Sequence, residues 1–305
     1  MLEPVWRLLQ HPPALGPWNM AVDEAIVRAV GDGQAPVTLR FYQWSAPTVS
    51  LGYSQSAPGG VDEVACRREG VVMVRRITGG RAVLHHRELT YSVSLALQDE
   101  WGSLSVSEAF ARIALGLLRG LLRLGVQARL GASESLPGAG GESAPCFLAR
   151  RMPAILVDER KLVGSAQRRW SRSLLQHGCL LLDFDPGLHR AVFPTWPCVD
   201  PWEGVTSLRR LLGRVPPIDE IVFAFAAGWR EVFGGRWLLG ELGSEEMRGA
   251  AELVQTRYGT SAWTFRRARR TGRPATQPVA ESEESGSVGL AVLPEGDAGQ
   301  PAKPA

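Results

Sequence analysis

The sequence predicts an α+β domain built on a mixed or antiparallel β-sheet flanked by helices. Three observations carry that expectation. Short apolar stretches and capped amphipathic stretches are interleaved, but without the regular strand–helix–strand alternation that a doubly wound parallel sheet requires. The 305 residues are 45% hydrophobic and 21% charged, enough apolar material for a sizeable core. After Phe265 the composition changes: five arginines fall between Arg266 and Arg273, and acidic, Pro, Gly, Ala and Ser residues then run to Ala305. We therefore expect one domain over 1–265, with its core at about 34–245 and helices after it. A low-complexity tail over 266–305 buries too little apolar surface to order itself.

The elements follow in order. Asn19 to Val30 reads as a helix, with Asp23 and Glu24 near its positive end. Thr38 to Trp44 and Thr48 to Gly52 read as strands parted by the turn Ser45-Ala46-Pro47, and Val61 to Glu69 as a short helix. Val71 to Arg76 is a strand running into Gly79-Gly80, after which a second strand begins; Leu89 to Leu97 is another. Ser105-Val106-Ser107-Glu108 is a capping box that opens a leucine-rich helix, with Gly125 at its C-terminal end. Gly131 to Pro145 is a loop rich in Gly, Ser and Pro. Ala154 to Val157 and Lys161 to Arg168 form a hairpin turning at Asp158-Glu159-Arg160, and Leu174 to Asp183 is an apolar strand. Ile218 to Phe233 and Glu245 to Tyr258 are helices, the second opened by Ser244.

Several classes are disfavoured. A net charge of +3 gives no strong electrostatic footprint, and the arginine cluster after Phe265 lacks interleaved aromatics, so no nucleic-acid partner is expected. The N-terminus does not read as a signal peptide, and no apolar run reaches the ~18 residues of a membrane span. Cys66, Cys146, Cys179 and Cys198 show no C-x-x-C spacing, and His85 and His86 point to opposite faces of a strand, so no metal is expected. The expectation is a cytoplasmic monomer with reduced thiols.

Candidate chemistry starts from lysine. Arginine supplies 32 of the 34 basic residues; Lys303 lies in the tail, which leaves Lys161 alone in the predicted domain. Arg is permanently charged and planar, whereas the Lys pKa can be moved, so a lone Lys points to a task a guanidinium cannot do. Cys146 lies fifteen residues before it, after the Gly/Pro-rich loop. An ammonium at ~4 Å favours a thiolate by up to ~4 kcal/mol at an effective dielectric near 20. The alternative is a buried structural Cys with a solvated Lys. In Arg75-Arg76-Ile77-Thr78-Gly79-Gly80-Arg81-Ala82-Val83-Leu84-His85, two arginines that can hold an anion flank glycines that allow positive φ; the alternative is a hairpin turn with solvated arginines. Gly164, Ser165 and Ala166 leave room beside a strand for a narrow apolar ligand. His177 is a candidate base or a satisfied core histidine. Cys66, Cys179 and Cys198 read as packing.

Together these segments resemble the biotin/lipoyl protein ligase family, from about Trp6 to Phe265. Arg75-Arg76-x-Thr78-Gly79-Gly80…His85 is similar to its glycine-rich signature, and Lys161-Leu162-Val163-Gly164-Ser165-Ala166-Gln167 to its lysine-bearing segment. Glu159 stands where the family usually has Gly. The resemblance implies the family's class II synthetase-like catalytic fold. Two details, Arg81 in place of a third Gly and a Cys at 146, resemble the octanoyl-transferring branch rather than the ATP-using ligases. The implied reaction needs no cofactor. Cys146 accepts octanoyl from octanoyl-acyl carrier protein as a thioester, and a lipoyl-domain lysine then takes it as an amide. The acceptor is the glycine-cleavage H protein or a 2-oxoacid dehydrogenase E2 subunit. Lys161 lowers the Cys146 pKa. Arg75, Arg76, Gly79, Gly80, His85, Gly164, Ser165 and Ala166 bind substrate, with His85 in a positioning role. An octanoyl-H-protein amidotransferase and an ATP-dependent lipoate ligase are the alternatives.

Overall fold

The computed structural model describes residues 3–56, 60–132, 153–195 and 200–266. Cys146, Cys198, most of the Gly131 to Pro145 loop and nearly all of the expected tail lie outside them. The described residues belong to one compact unit, 1–269.

An eight-stranded mixed sheet forms the frame. Its strands are β1 (Val5–Gln10), β2 (Val37–Tyr42), β6 (Glu88–Ala96), β7 (Arg129–Ala132), β8 (Pro153–Val157), β9 (Arg160–Arg169), β10 (Ser173–Leu181) and β11 (Arg236–Leu239), in the order β11-β1-β2-β6-β10-β9-β8-β7. β1 runs parallel to β2 and β11; every other neighbouring pair is antiparallel. A second sheet has the order β4-β3-β5, from β3 (Thr48–Leu51), β4 (Val72–Arg75) and β5 (Val83–His85). The α+β expectation holds, and the mixed sheets are flanked by helices.

Alternation along β6 divides the interior. Leu89, Tyr91, Val93 and Leu95 pack against α4 (Val106–Arg123) and α7 (Ile218–Phe233). Glu88, Thr90, Ser92 and Ser94 are equally buried on the other face. There α1 (Gly16–Gly31) and α8 (Ser244–Leu253) cover one end of the sheet, and the three-stranded sheet covers the rest. The capping box at Ser105 and Glu108 is present, and Gly125 takes positive φ just past α4.

Three sequence expectations change. Thr78 to Gly80 does not turn a hairpin: β4 and β5 are not neighbours, because β3 lies between them, parallel to β4 and antiparallel to β5. Of the two glycines only Gly80 uses positive φ, at 90°. Its carbonyl sits where a Cβ on Gly52 would be, so this turn and the end of β3 require glycine on both sides. The helix expected over Glu245 to Tyr258 is α8 capped at Gly243, followed by a π-helical turn at Val254–Tyr258. β1 and α1 contribute Leu9, Met20, Ala21, Val22 and Ile26 to the hydrophobic core.

The β8–β9 hairpin forms as expected and shows why residue 159 matters. Asp158 and Glu159 both take positive φ, 47° and 63°, in a two-residue connection. Glycine costs least there; Glu159 instead ion-pairs with Arg129 of β7.

Candidate functional site

A cleft of about 460 Å³ opens between the two sheets, over β9 and β10 and beneath β3 and β5. The larger sheet supplies its floor in register: Gly164 pairs with Cys179, Cys179 with Thr90, and Thr90 with Tyr42. This row crosses four strands, about 14 Å at ~4.8 Å per step. Met20, Trp44 and Val83 add apolar walls. Any Cβ at Gly178 would overlap the Gly164 carbonyl and the Ser165 hydroxyl, so glycine keeps β9 and β10 in contact along this stretch.

Lys161 lines the cleft and is 2% exposed. A β-bulge explains its direction. Ile155 pairs with Val163 but Leu156 pairs with Lys161, so Leu162 is an extra residue on β9. Without it, strict alternation would place Lys161 on the face of Val163 and opposite Gly164 and Ala166. The Lys161 backbone is held from its other edge by Gly204 and Thr206, through N–H and C=O hydrogen bonds of 3.0 Å each. Gly164, Ser165 and Ala166 also line the cleft, and Ser165 Oγ hydrogen-bonds Tyr91 OH at 2.7 Å.

His85 is fixed on both nitrogens. Its Nδ1–H donates to Glu88 Oε1 at 2.8 Å, its Nε2 accepts from Ser50 Oγ at 2.7 Å, and its ring stacks on Trp44 at 4.1 Å. Glu88 Oε1 also accepts from Thr90 Oγ1 at 2.6 Å and Trp44 Nε1 at 3.1 Å. Donor atoms of His85, Glu88 and Cys179 lie within 4.8 Å of one another, a set chemically able to hold a cation such as Zn²⁺. The sequence did not reveal it, because β5, β6 and β10 meet only in the fold.

His177 is a satisfied core histidine whose side chain also faces the cleft. Its Nδ1–H donates to Asp23 Oδ2 at 3.1 Å, and its Nε2 accepts from Thr78 Oγ1 at 2.7 Å. Burial holds its pKa below the ordinary value, against the pull of Asp23. Asp23, 1% exposed, also accepts from Arg40 Nη1 at 2.7 Å, Ser92 Oγ at 2.8 Å and Tyr42 OH at 2.9 Å. Burial alone would raise its pKa; Arg40, His177 and Ser92 outweigh burial and hold it below the usual carboxylate range.

The flanking arginines both hold backbone carbonyls. Arg75 is 0% exposed and does not line the cleft. It donates to the backbone carbonyls of Gly52, Gln55 and Thr264 at 2.6, 2.7 and 3.1 Å, tying β4 to the loop after β3 and to α9 (Ser261–Thr264). Burial pushes its pKa down to about 10, still protonated at neutral pH. Arg76 does line the cleft, but it donates to the carbonyls of Ser50, Gly79 and Arg81 at 2.7 Å each and so pins the glycine turn. Gly79 and Gly80 shape that turn without lining the cleft. Met20, Tyr42, Trp44, Ser50, Thr90, Gly178 and Cys179 are lining residues that the sequence reading did not single out. Cys179 was read as packing because its strand is apolar on both faces.

Comparison with known proteins agrees with this architecture. The family model described as the lipoyl protein ligase A/B catalytic domain matches residues 16–230. An octanoyltransferase LipM of Symbiobacterium thermophilum is 41% identical over 278 residues, covering 87% of this chain and 100% of the relative. The octanoyltransferase LipM of Bacillus subtilis is 31% identical, covering 88% and 100%. Among solved structures, a lipoate-protein ligase A bound with ATP superposes with a TM-score of 0.70 at 26% identity, covering 87% of this chain and 99% of that one. A bi-partite lipoate protein ligase from Thermoplasma acidophilum, described with its E2 lipoyl domain, gives 0.68 at 25%, covering 87% and 97%. A domain match spanning most of the chain, with relatives this similar over their full length, places the chain in the lipoyl protein ligase A/B catalytic-domain family.

Proposed function

We propose that this chain is an acyltransferase of lipoate assembly, moving octanoyl from octanoyl-acyl carrier protein through a Cys146 thioester to the lysine of a lipoyl domain. Octanoyltransferase relatives at 31–41% identity support the reaction class. The observation that carries the mechanism is Lys161, a buried amine that a β-bulge turns into a narrow apolar cleft.

The Cys146 thiolate attacks the donor thioester carbon, the C–S bond to the carrier arm breaks, and the departing arm thiolate takes up a proton. The acceptor lysine then attacks the new thioester, its nitrogen loses a proton, and the Cys146 thiolate leaves as the amide forms. Lys161 favours the thiolate before acylation and at departure. A buried ammonium yields its proton more readily than a solvated one, which lets Lys161 exchange protons with the incoming amine. The octanoyl chain lies along the row Gly164, Cys179, Thr90 and Tyr42. Burial of about six methylenes at ~0.8 kcal/mol each gives ~5 kcal/mol of chain recognition. Glu88 and Ser50 hold His85 as a positioning wall. The acceptor is the H protein of glycine cleavage or an E2 lipoyl domain, and the chain acts as a monomer.

Intact-mass measurement after mixing with octanoyl-acyl carrier protein tests the reading. We expect one added octanoyl group, none in Cys146→Ala, and at least a 100-fold loss of transfer in Lys161→Arg, which keeps charge but not shape or proton exchange. Loading only from octanoyl-H protein would make the chain an amidotransferase. Lipoate-dependent ATP–pyrophosphate exchange would make it a ligase.

A further inference from the structure

A second groove, of about 930 Å³, adjoins the cleft, and its lining is cationic and aromatic. Arg28, Arg168, Arg172 and Arg257 face it, against the carboxylates of Glu24 and Asp32. Glu24 is shared by Arg28 and Arg257, and Asp32 pairs with Arg172. Arg168 and the neighbouring Arg266 have no carboxylate partner among the described residues.

The Arg168 guanidinium is stacked rather than paired. It lies 4.4 Å from the Tyr53 ring centroid and 4.8 Å from that of Trp170. Arg266 continues the stack over Tyr53 at 4.0 Å and Trp263 at 4.4 Å, and Arg257 lies 4.8 Å from Trp263. One Arg168 N–H donates to the Ile77 carbonyl at 2.9 Å, and its guanidinium also hydrogen-bonds the Tyr53 hydroxyl, which leaves further N–H donors of the fork for a ligand. A flat, pre-oriented fork with unused donors and no counter-charge is built for a phosphate. The guanidiniums of Arg266 and Arg168 also hold the Tyr53 phenol below its ordinary pKa, consistent with positive potential in the groove.

The groove's position names the phosphate. Arg168 lies on the same face of β9 as Gly164 and Ala166, about 13 Å along the strand from Gly164 at ~3.3 Å per residue. Ile77, which anchors it, follows cleft residue Arg76. With the acyl chain running across the strands, the thiol side of a donor thioester leaves along them, past Ala166 and toward Arg168. A phosphopantetheine arm in extended form covers that span.

Resting on the octanoyl-transfer reading, we propose that the Arg168 groove binds the phosphate of the donor's phosphopantetheine arm. The test compares kcat/KM for octanoyl-4′-phosphopantetheine and for octanoyl-pantetheine, which lacks the phosphate, using the full chain and a lipoyl domain as acceptor. Wild type should prefer the phosphorylated donor about tenfold or more. That ratio should fall toward one in Arg168→Gln and recover in part in Arg168→Lys. Because the ratio is taken within one variant, a general loss of fold or rate leaves it unchanged. Free 4′-phosphopantetheine should also inhibit wild type competitively, at lower concentration than pantetheine, which tests the site without any variant. Octanoyl-coenzyme A and octanoyl-carrier protein, which present the same phosphate from two sources, should both lose rate in Arg168→Gln. Transfer without phosphate preference overturns the assignment while leaving octanoyl transfer intact. A loss confined to the carrier protein also overturns it, because the contact would then be to the carrier's surface. Transfer from no thioester donor overturns both readings.

Discussion

Asp23 carries the largest electrostatic load of any single residue near the cleft. Its two oxygens accept from Arg40, Ser92, Tyr42 and His177, and both Arg40 and Asp23 have side chains only 1% exposed. Cutting such a pair on one side leaves a buried charge with no countercharge. Arg40→Met should therefore cost about 3–5 kcal/mol in chemical denaturation. A cost below about 1 kcal/mol would mean that water reaches Asp23. Asp23 and Glu24 read in the sequence as favourable charges near a helix start; in the structure both are buried anchors, Glu24 bonding Tyr258 OH at 2.5 Å. Lys161 was the opposite case. It was legible because an arginine-rich composition made a lone lysine conspicuous. Arg75 and Arg76 show why an arginine's task is hard to read from sequence: its fork fits backbone carbonyls as well as phosphates, and here both side chains hold carbonyls. The Arg75 carbonyl contacts come from Gly52 and Gln55, 23 and 20 residues before it, and from Thr264, 189 residues after it.

Elements with local determinants were legible. α4 carries its own capping box and α7 its own apolar stripe, and both lie where the sequence puts them. The β8–β9 hairpin was legible too. The bulge at Leu162 was not, because an extra residue shows only against a partner strand. β1, β7 and β11 escaped notice: they are short or lie at the margins of the sheet, and their polarity is mixed by partial exposure. The β9–β10 contact makes a prediction at this scale. Gly178→Ala places a methyl against the Gly164 carbonyl and 2.8 Å from the Tyr91 ring. We expect about 1–3 kcal/mol of destabilisation from overpacking, and a larger proportional loss of activity because the shift narrows the cleft. Thermal melting and acyl loading measured on the same sample check it. Loss of stability with full loading would show that the floor of the cleft can move without consequence.

The molecule as a whole should weaken in mild acid. His177 and His189 are buried, and burial disfavours their charged forms; it lowers the His189 pKa from 6.5 to about 4. The unfolded chain takes up these protons first, near pH 6.5, so stability is full above that value. Between pH 6.5 and about 4 His189 removes about 1.4 kcal/mol per pH unit, and His177 acts in the same direction. Melting temperature should therefore fall across this window, and His189→Leu should flatten the slope. An equal slope in that variant would assign the acid loss to other groups. No described helix is long and apolar enough to cross a membrane.

The sequence by itself determined the α+β class, the capped helices, the β8–β9 hairpin, the family resemblance and the solitary status of Lys161 among the arginines, because each is written in neighbouring residues or in composition. Only the tertiary structure decided that β3 intervenes between β4 and β5, that Arg75 and Arg76 clamp carbonyls, and that Arg168 joins residues of α1 and of the segment near Trp263 around a groove of their own. Those outcomes depend on the pairing of segments tens of residues apart. Their energy lies in register, in burial shared between two sheets and in partners for buried charges, none of which exists until the chain has closed on itself.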